Sequence, residues 1–128
     1  MRTQTIEEKS VKATEWDENY FKYCDFREFS IEGGVVSSDF VGCSFKDVEW
    51  YWGLFTLSNF IDCRFADCVF RGSTFADCRF VDCTFANCRF IKDNLDASCS
   101  FERTVAYSCS VEGGEGFNAE LRARHVTP

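Results

Sequence analysis

Between residues 40 and 95 the chain counts in fives. Bulky residues stand at Phe40, Phe45, Trp50, Phe55, Phe60, Phe65, Phe70, Phe75, Phe80, Phe85, Phe90 and Leu95 without a gap. Two places before many of them sits a small residue: Cys43, Cys63, Cys68, Ser73, Cys78, Cys83 and Cys88. A period of five is neither the period of about 3.6 of an α-helix nor that of about 2.0 of a flat strand. A fixed short repeat of this kind predicts a solenoid, whose units bury their apolar residues by stacking on one another.

Runs such as Phe60-Ile61-Asp62-Cys63-Arg64 and Phe75-Ala76-Asp77-Cys78-Arg79 resemble the pentapeptide repeat family. In that family a small residue stands at i−2, Leu or Phe at the centre i, and polar residues between. The resemblance implies an all-β fold: a right-handed quadrilateral β-helix with one repeat per face and four faces per coil. Residues at i and i−2 then point inward, those at i−1, i+1 and i+2 outward. Consecutive coils stack at the interstrand spacing of about 4.8 Å. Between residues 40 and 95 most acidic residues fall at i+2, as Asp62, Asp67, Asp77 and Asp82 do.

Residues 1–18 read as an N-terminal cap, 19–111 as the repeat domain and 112–128 as a tail. Thr5-Ile6-Glu7-Glu8 fits a helix capping box, yet Ile6, Val11, Trp16, Phe21, Phe26, Ile31 and Val36 also stand five apart. Two phase slips interrupt the count. Val36 to Phe40 spans four, just after Gly33-Gly34, where the backbone can absorb a change. Leu95 to Phe101 spans six, which reads as a bulge or widened corner. Allowing for both, one column holds Cys24, Cys43, Cys63 and Cys83 beside Phe26, Phe45, Phe65 and Phe85. A second holds Val48, Cys68, Cys88 and Cys109 beside Trp50, Phe70, Phe90 and Val111. A third holds Ser58, Cys78 and Cys99 beside Phe60, Phe80 and Phe101. Beyond Val111, Glu112-Gly113-Gly114-Glu115-Gly116 breaks the pattern, and Phe117 to His125 has helical composition. So short a helix needs a surface to lie on: either the last coil, which it would cap, or a second copy. In several members of the family a C-terminal segment makes an end-to-end homodimer.

The nine cysteines follow the repeat rather than a disulfide framework. Residues five apart lie on different faces with Phe rings between them, and residues twenty apart form a line rather than a tetrahedron. They read as reduced, small core residues in a cytoplasmic protein. His125 is the only histidine, with no partner legible for base catalysis, and no phosphate-binding glycine loop is present. No enzyme activity, cofactor or metal is expected. The N-terminus lacks an apolar signal segment, and no apolar run is long enough to span a membrane. A net charge of −7 disfavours direct nucleic-acid binding.

Two functions stay open, with a thiol or metal protein as a distant third. The first is a rigid scaffold that binds a protein partner through its outer faces. The second follows from the resemblance: some members of the family imitate duplex DNA, bind DNA gyrase or another type II topoisomerase and protect it from quinolones. Against it, acids and bases number 8 and 5 in residues 1–38, 9 and 6 in 39–98, and 4 and 3 in 99–128, so no phosphate-like stripe emerges. The stretch Trp50 to Leu57 departs from the polar exterior. By phase Trp50 points inward, while Tyr51, Trp52, Leu54 and Leu57 point out as a candidate interaction patch. A partner, a second copy or the chain's own termini would cover it; alternatively Trp50 overfills its slot and distorts the coil.

Overall fold

The computed structural model describes residues 5–6 and 15–116. Among them there is no helix, and the strands pair in parallel. The repeat centres fall into four columns, one per face. Phe21, Phe40, Phe60, Phe80 and Ala106 line the first. Phe26, Phe45, Phe65, Phe85 and Val111 line the second. Ile31, Trp50, Phe70 and Phe90 line the third, and Val36, Phe55, Phe75 and Phe101 the fourth. Trp16 starts the fourth column, since its carbonyl accepts the Ser37 N–H at 2.8 Å. From Trp16 to Phe101 the chain thus makes four turns of a parallel β-solenoid.

The core is a set of aromatic stacks. Phe45, Phe65 and Phe85 lie 4.7 and 4.8 Å apart, centroid to centroid, and within 6° of parallel. Across the axis the columns meet edge to face, as Phe60 and Phe65 do at 5.6 Å and 62°. Both arrangements satisfy the ring quadrupole while burying large apolar area. Trp16 closes the N-terminal end over Phe21, Phe26, Phe29, Phe40 and Trp50.

The i−2 residue does more than fit. Its side chain donates to the carbonyl of a repeat centre in the coil before: Cys63 Sγ to Phe40 O at 3.4 Å, Cys83 to Phe60 at 3.2 Å, Ser58 to Val36 at 3.0 Å and Thr104 to Phe75 at 2.9 Å. A small residue with a donor therefore fills the inner corner and satisfies buried backbone.

The i+2 residue makes the corner. Asp47, Asp62, Asp67, Asp77, Asp82 and Asn87 all have φ between 53° and 55°, and Gly33, Gly42, Gly72 and Gly113 stand at the same place in the repeat with positive φ. Asp, Asn and Gly tolerate this left-handed region better than other residues do. That is why the acids collect at i+2.

Both phase slips have a different cause from the one expected. No residue between Gly34 and Gly42 has positive φ, and Val35–Val41 runs as one strand. The four-residue spacing is the loss of one left-handed corner residue, not an adjustment at Gly33-Gly34. After Phe90 the insertion is larger than a bulge. Phe101 pairs with Phe75, twenty-six residues back, and Val111 with Phe85; the usual separation is twenty, so six residues have left the ladder. Phe101 therefore belongs over Phe75 rather than Phe80, and Cys109 with Val111 over Cys83 and Phe85 rather than Cys88 and Phe90. Leu95 is no repeat centre: it is 77% exposed at the tip of the inserted loop.

Thr5–Ile6 is a strand paired with Asp25 and Phe26, so the count of fives, not the capping box, describes it. Past Val111 the ladder continues: Phe90 N–H donates to Glu115 O at 2.9 Å, and Glu115 N–H to Cys88 O at 3.0 Å. A Cβ on Gly114 or Gly116 would fall on the carbonyl oxygen of Cys88 or Phe90. The helix expected at Phe117 to His125 lies outside the described residues, as does His125.

Candidate interaction surface

The corner rule singles out the residues that break it. Glu18, Tyr23, Glu28, Arg103 and Ser108 also stand at i+2 with positive φ. The large side chains among the exceptions are Tyr23, Trp52 and Leu57, at φ of 58°, 60° and 52°; around the last two the neighbouring coils carry Gly72 and Asp77. A left-handed backbone under a bulky side chain costs about 1–2 kcal/mol. Even so, Trp52 remains 38% and Leu57 66% exposed. Large apolar side chains thus stand in strained backbone and still face solvent.

Trp52 stands between Gly33 and Gly72 in its corner column. Its indole Nε1–H donates to Asp93 Oδ2 at 2.6 Å, and the Asn94 N–H donates to the Tyr51 hydroxyl oxygen at 3.1 Å. The Tyr51 and Trp52 rings meet edge to face at 4.3 Å. The inserted loop thus folds back across Gly72, where a Cβ would come within 3.0 Å of Asp93 Cβ. Asp93 also organises the loop, since Oδ1 accepts the N–H groups of Leu95 and Ala97 at 2.8 Å each. The Ala97 N–H, with the Trp52 indole and the Leu95 N–H, holds the Asp93 carboxyl below its ordinary pKa. So the inserted loop partners Tyr51 and Trp52, leaving Leu54 39% exposed on the fourth face beside Val35, its neighbour in register.

Trp50 does not distort the coil. It is 2% exposed and parallel to Phe70 at 6.2 Å. Gly53 provides the space, because a Cβ there would lie 2.8 Å from the Trp50 ring. The i−2 position has given up its side chain to admit the indole.

Phe40, Phe45, Phe60, Phe65, Phe70, Phe75, Phe80, Phe85 and Phe90 are all buried, as are Cys63, Cys68, Cys78, Cys83 and Cys88. All nine cysteines are free thiols. Burial pushes the Cys78 thiol up to about 11 and raises Cys99; contact with Cys88, then burial, raises Cys68. Raised in this way, Cys68, Cys78 and Cys99 are poor nucleophiles and poor ligands, whereas contact with a neighbouring thiol lowers Cys43, Cys83 and Cys88. Among the described residues no group of His, Cys, Asp and Glu is placed to hold a metal ion. An open depression of about 590 Å³ lies at the C-terminal end of the coil, between Arg89, Lys92, Ser98, Cys99 and Glu115. There the Cys99 thiol donates to the Phe70 carbonyl at 3.2 Å, and Glu115 lies 3.9 Å from Arg89. No helix among the described residues is long and apolar enough to cross a membrane.

One partly exposed row escaped the sequence reading, with Val41 and Val81 half-buried. On the first face the i+1 residues Val41, Ile61, Val81 and Tyr107 stack in register, with Ile61 and Tyr107 each 40% exposed. Val41, Ile61 and Val81 are twenty apart, a visible signal; the insertion displaces Tyr107 from that count.

Comparison with known proteins agrees with this geometry. Residues 55–92 match the family model for pentapeptide repeats, in eight copies. The fold is similar to that of QnrB1, a plasmid-mediated fluoroquinolone resistance protein. Two trypsin-treated forms align at TM-scores of 0.61 and 0.62 with 14% and 13% identity, covering 83% and 88% of this chain and 51% and 66% of theirs. Full-length QnrB1 aligns at 0.55 with 13% identity, over 90% of this chain and 68% of its own. The chain thus spans about half to two thirds of these structures, and at such identity the likeness concerns the fold alone. No curated protein sequence matches it. With residues 55–92 matched to the repeat model and the coils on either side continuing the same pattern, the chain carries a pentapeptide-repeat solenoid.

Proposed function

We propose that the protein is a non-catalytic, cytoplasmic scaffold, wound right-handed, that binds a protein partner through Tyr51, Trp52, Leu54 and Leu57. The observation that carries the reading is the exposure of two large apolar side chains, Trp52 and Leu57, on successive left-handed corners of a kind most often held by Asp, Asn or Gly. A rigid solenoid presents such groups with little entropy lost on binding, and Trp is among the residues enriched at interface hot spots. The test is Trp52→Ala with Leu54→Ser, read by quantitative co-purification from the native host and by melting. Loss of one identified partner at an unchanged melting temperature supports the reading. Equal recovery of every protein by variant and wild type sinks it.

A second reading keeps DNA mimicry. At the corner between the second and third faces Glu28, Asp47 and Asp67 stack coil on coil and make no ion pair among the described residues. This acidic column, on a fold shared with QnrB1, is what a topoisomerase-directed mimic would present. Lys46 and Arg64 on the second face interrupt it, which is why the apolar patch ranks first. A gyrase supercoiling assay with a fluoroquinolone decides: protection by the protein, lost when Glu28, Asp47 and Asp67 become amides, would move mimicry ahead.

A further inference from the structure

We infer that the first face is a second docking surface, and that its occupant is a basic amphipathic helix of a partner protein. The row Val41, Ile61, Val81 and Tyr107 runs along the solenoid axis, one side chain per coil. Asp62 and Asp82 line one flank at the corner between the first and second faces. Both are exposed and neither makes an ion pair among the described residues. The other flank carries Asp39, Asn59 and Arg79, with Asn59 donating to Asp39 at 2.8 Å. Lys22 continues the row beyond Val41 and sits over the Tyr23 ring at 5.2 Å. With Asp39 and Arg79 cancelling on the other flank, Asp62 and Asp82 outnumber it and leave the face net negative along one side of the apolar row.

Size argues against a second copy. Five strands about 4.8 Å apart and three residues wide give a face of roughly 240 Å², far short of the ~800 Å² per partner of a stable interface. A short segment fits such a face. Spacing then selects its conformation. An α-helix along the axis returns an apolar residue every 5.4 Å or so, and over the three steps from Val41 to Tyr107 it drifts by only about 2 Å from the coil spacing. An extended strand places same-side residues about 6.7 Å apart and drifts by roughly 6 Å over the same steps. A helix with an apolar stripe on Val41, Ile61 and Val81, and Lys or Arg facing Asp62 and Asp82, satisfies both features.

This surface is distinct from the patch at Tyr51 to Leu57, so either can fail without the other. The probe is a fluorescein-labelled helix of eighteen or so residues built from Leu and Lys, with a Leu/Glu version as control. Fluorescence anisotropy on the full chain should show the Lys peptide binding at least tenfold more tightly than the Glu peptide. Ile61→Ser with Val81→Ser should weaken the Lys peptide about tenfold, and Asp62→Asn with Asp82→Asn should abolish most of its salt dependence. Tyr107→Ser, at the rim, replaces the double variant if circular dichroism shows that the latter has unfolded. A photo-crosslinking benzoylphenylalanine in place of Val81 reports the occupant directly. Equal affinity for the two peptides, no effect of the row variants, or crosslinks to a second copy or to residues 117–128 of the same chain would overturn the inference.

Discussion

Replacing Leu57 by glycine separates strain from packing. Leu57 sits at φ 52° and is 66% exposed, while Leu54, three residues earlier, is 39% exposed in the strand Leu54–Thr56. Leu57→Gly releases about 1–2 kcal/mol of left-handed strain. Against this stand about 0.5–1 kcal/mol of glycine backbone entropy and a similar amount for the third of the side chain that is buried. The net change is close to zero. Leu54→Gly has no strain to release and loses both other contributions, so it should destabilise by about 1.5–3 kcal/mol. In a chain of this size the difference corresponds to roughly 5–10 °C in melting temperature. Paired thermal and urea melts read it out, and partner capture should fall for Leu57→Gly although stability does not. Equal destabilisation by the two glycines would refute the claim that the corner is strained.

Three further outcomes follow from particular contacts. Gly53→Ala should cost about 1–3 kcal/mol by overpacking against Trp50, and adding Trp50→Phe should recover most of that in a denaturation double-mutant cycle. Because the Asp93 pKa is depressed in the folded protein, its contribution is present above the ordinary carboxylate value, near about 3.9, and is lost as pH falls through the lower folded value. Trp52 emission should therefore stay constant from neutral pH down to about that value and shift red below it, whereas Asp93→Ala should show the shifted emission, and cleavage near Leu95, already at neutral pH. Titration of freshly reduced, denatured protein should find all nine thiols, with stoichiometric zinc or missing thiols counting against their role as core residues.

The inward phase was legible because packing writes it plainly. From Phe60 to Phe90 a Phe at every centre and Cys or Ser at i−2 leave only one way to bury so many rings. The corner was half legible: acids at i+2 were visible, but their cause, a left-handed backbone, has no mark of its own when Trp52 or Leu57 stands there. The loop was hidden because Leu95 falls by chance in phase with Phe90, and eleven residues from Phe90 to Phe101 read as five plus six. Only the strand pairing, which stops at Ile91 and resumes at Ser100, shows where the six leave the ladder. The patch at Tyr51 to Leu57 was found by its composition. Its partial cover was not, because Asp93 lies forty-one residues beyond Trp52.

Near-identical coils create a counting problem for a folding chain. A Phe column offers the same ring at every level, so a segment that docks one coil too high or too low still buries its aromatics and closes much of its ladder. Such misregistered states are kinetic traps that compete with the native one. The irregularities of this chain act as address marks against them. Trp50 fits only where Gly53 leaves room, and Asp93 reaches an indole only if the loop crosses Gly72. The residues that break the repeat thereby tell each coil which level it occupies, and a variant idealised to uniform Phe and Asp would gain regularity while losing its means of choosing among the levels.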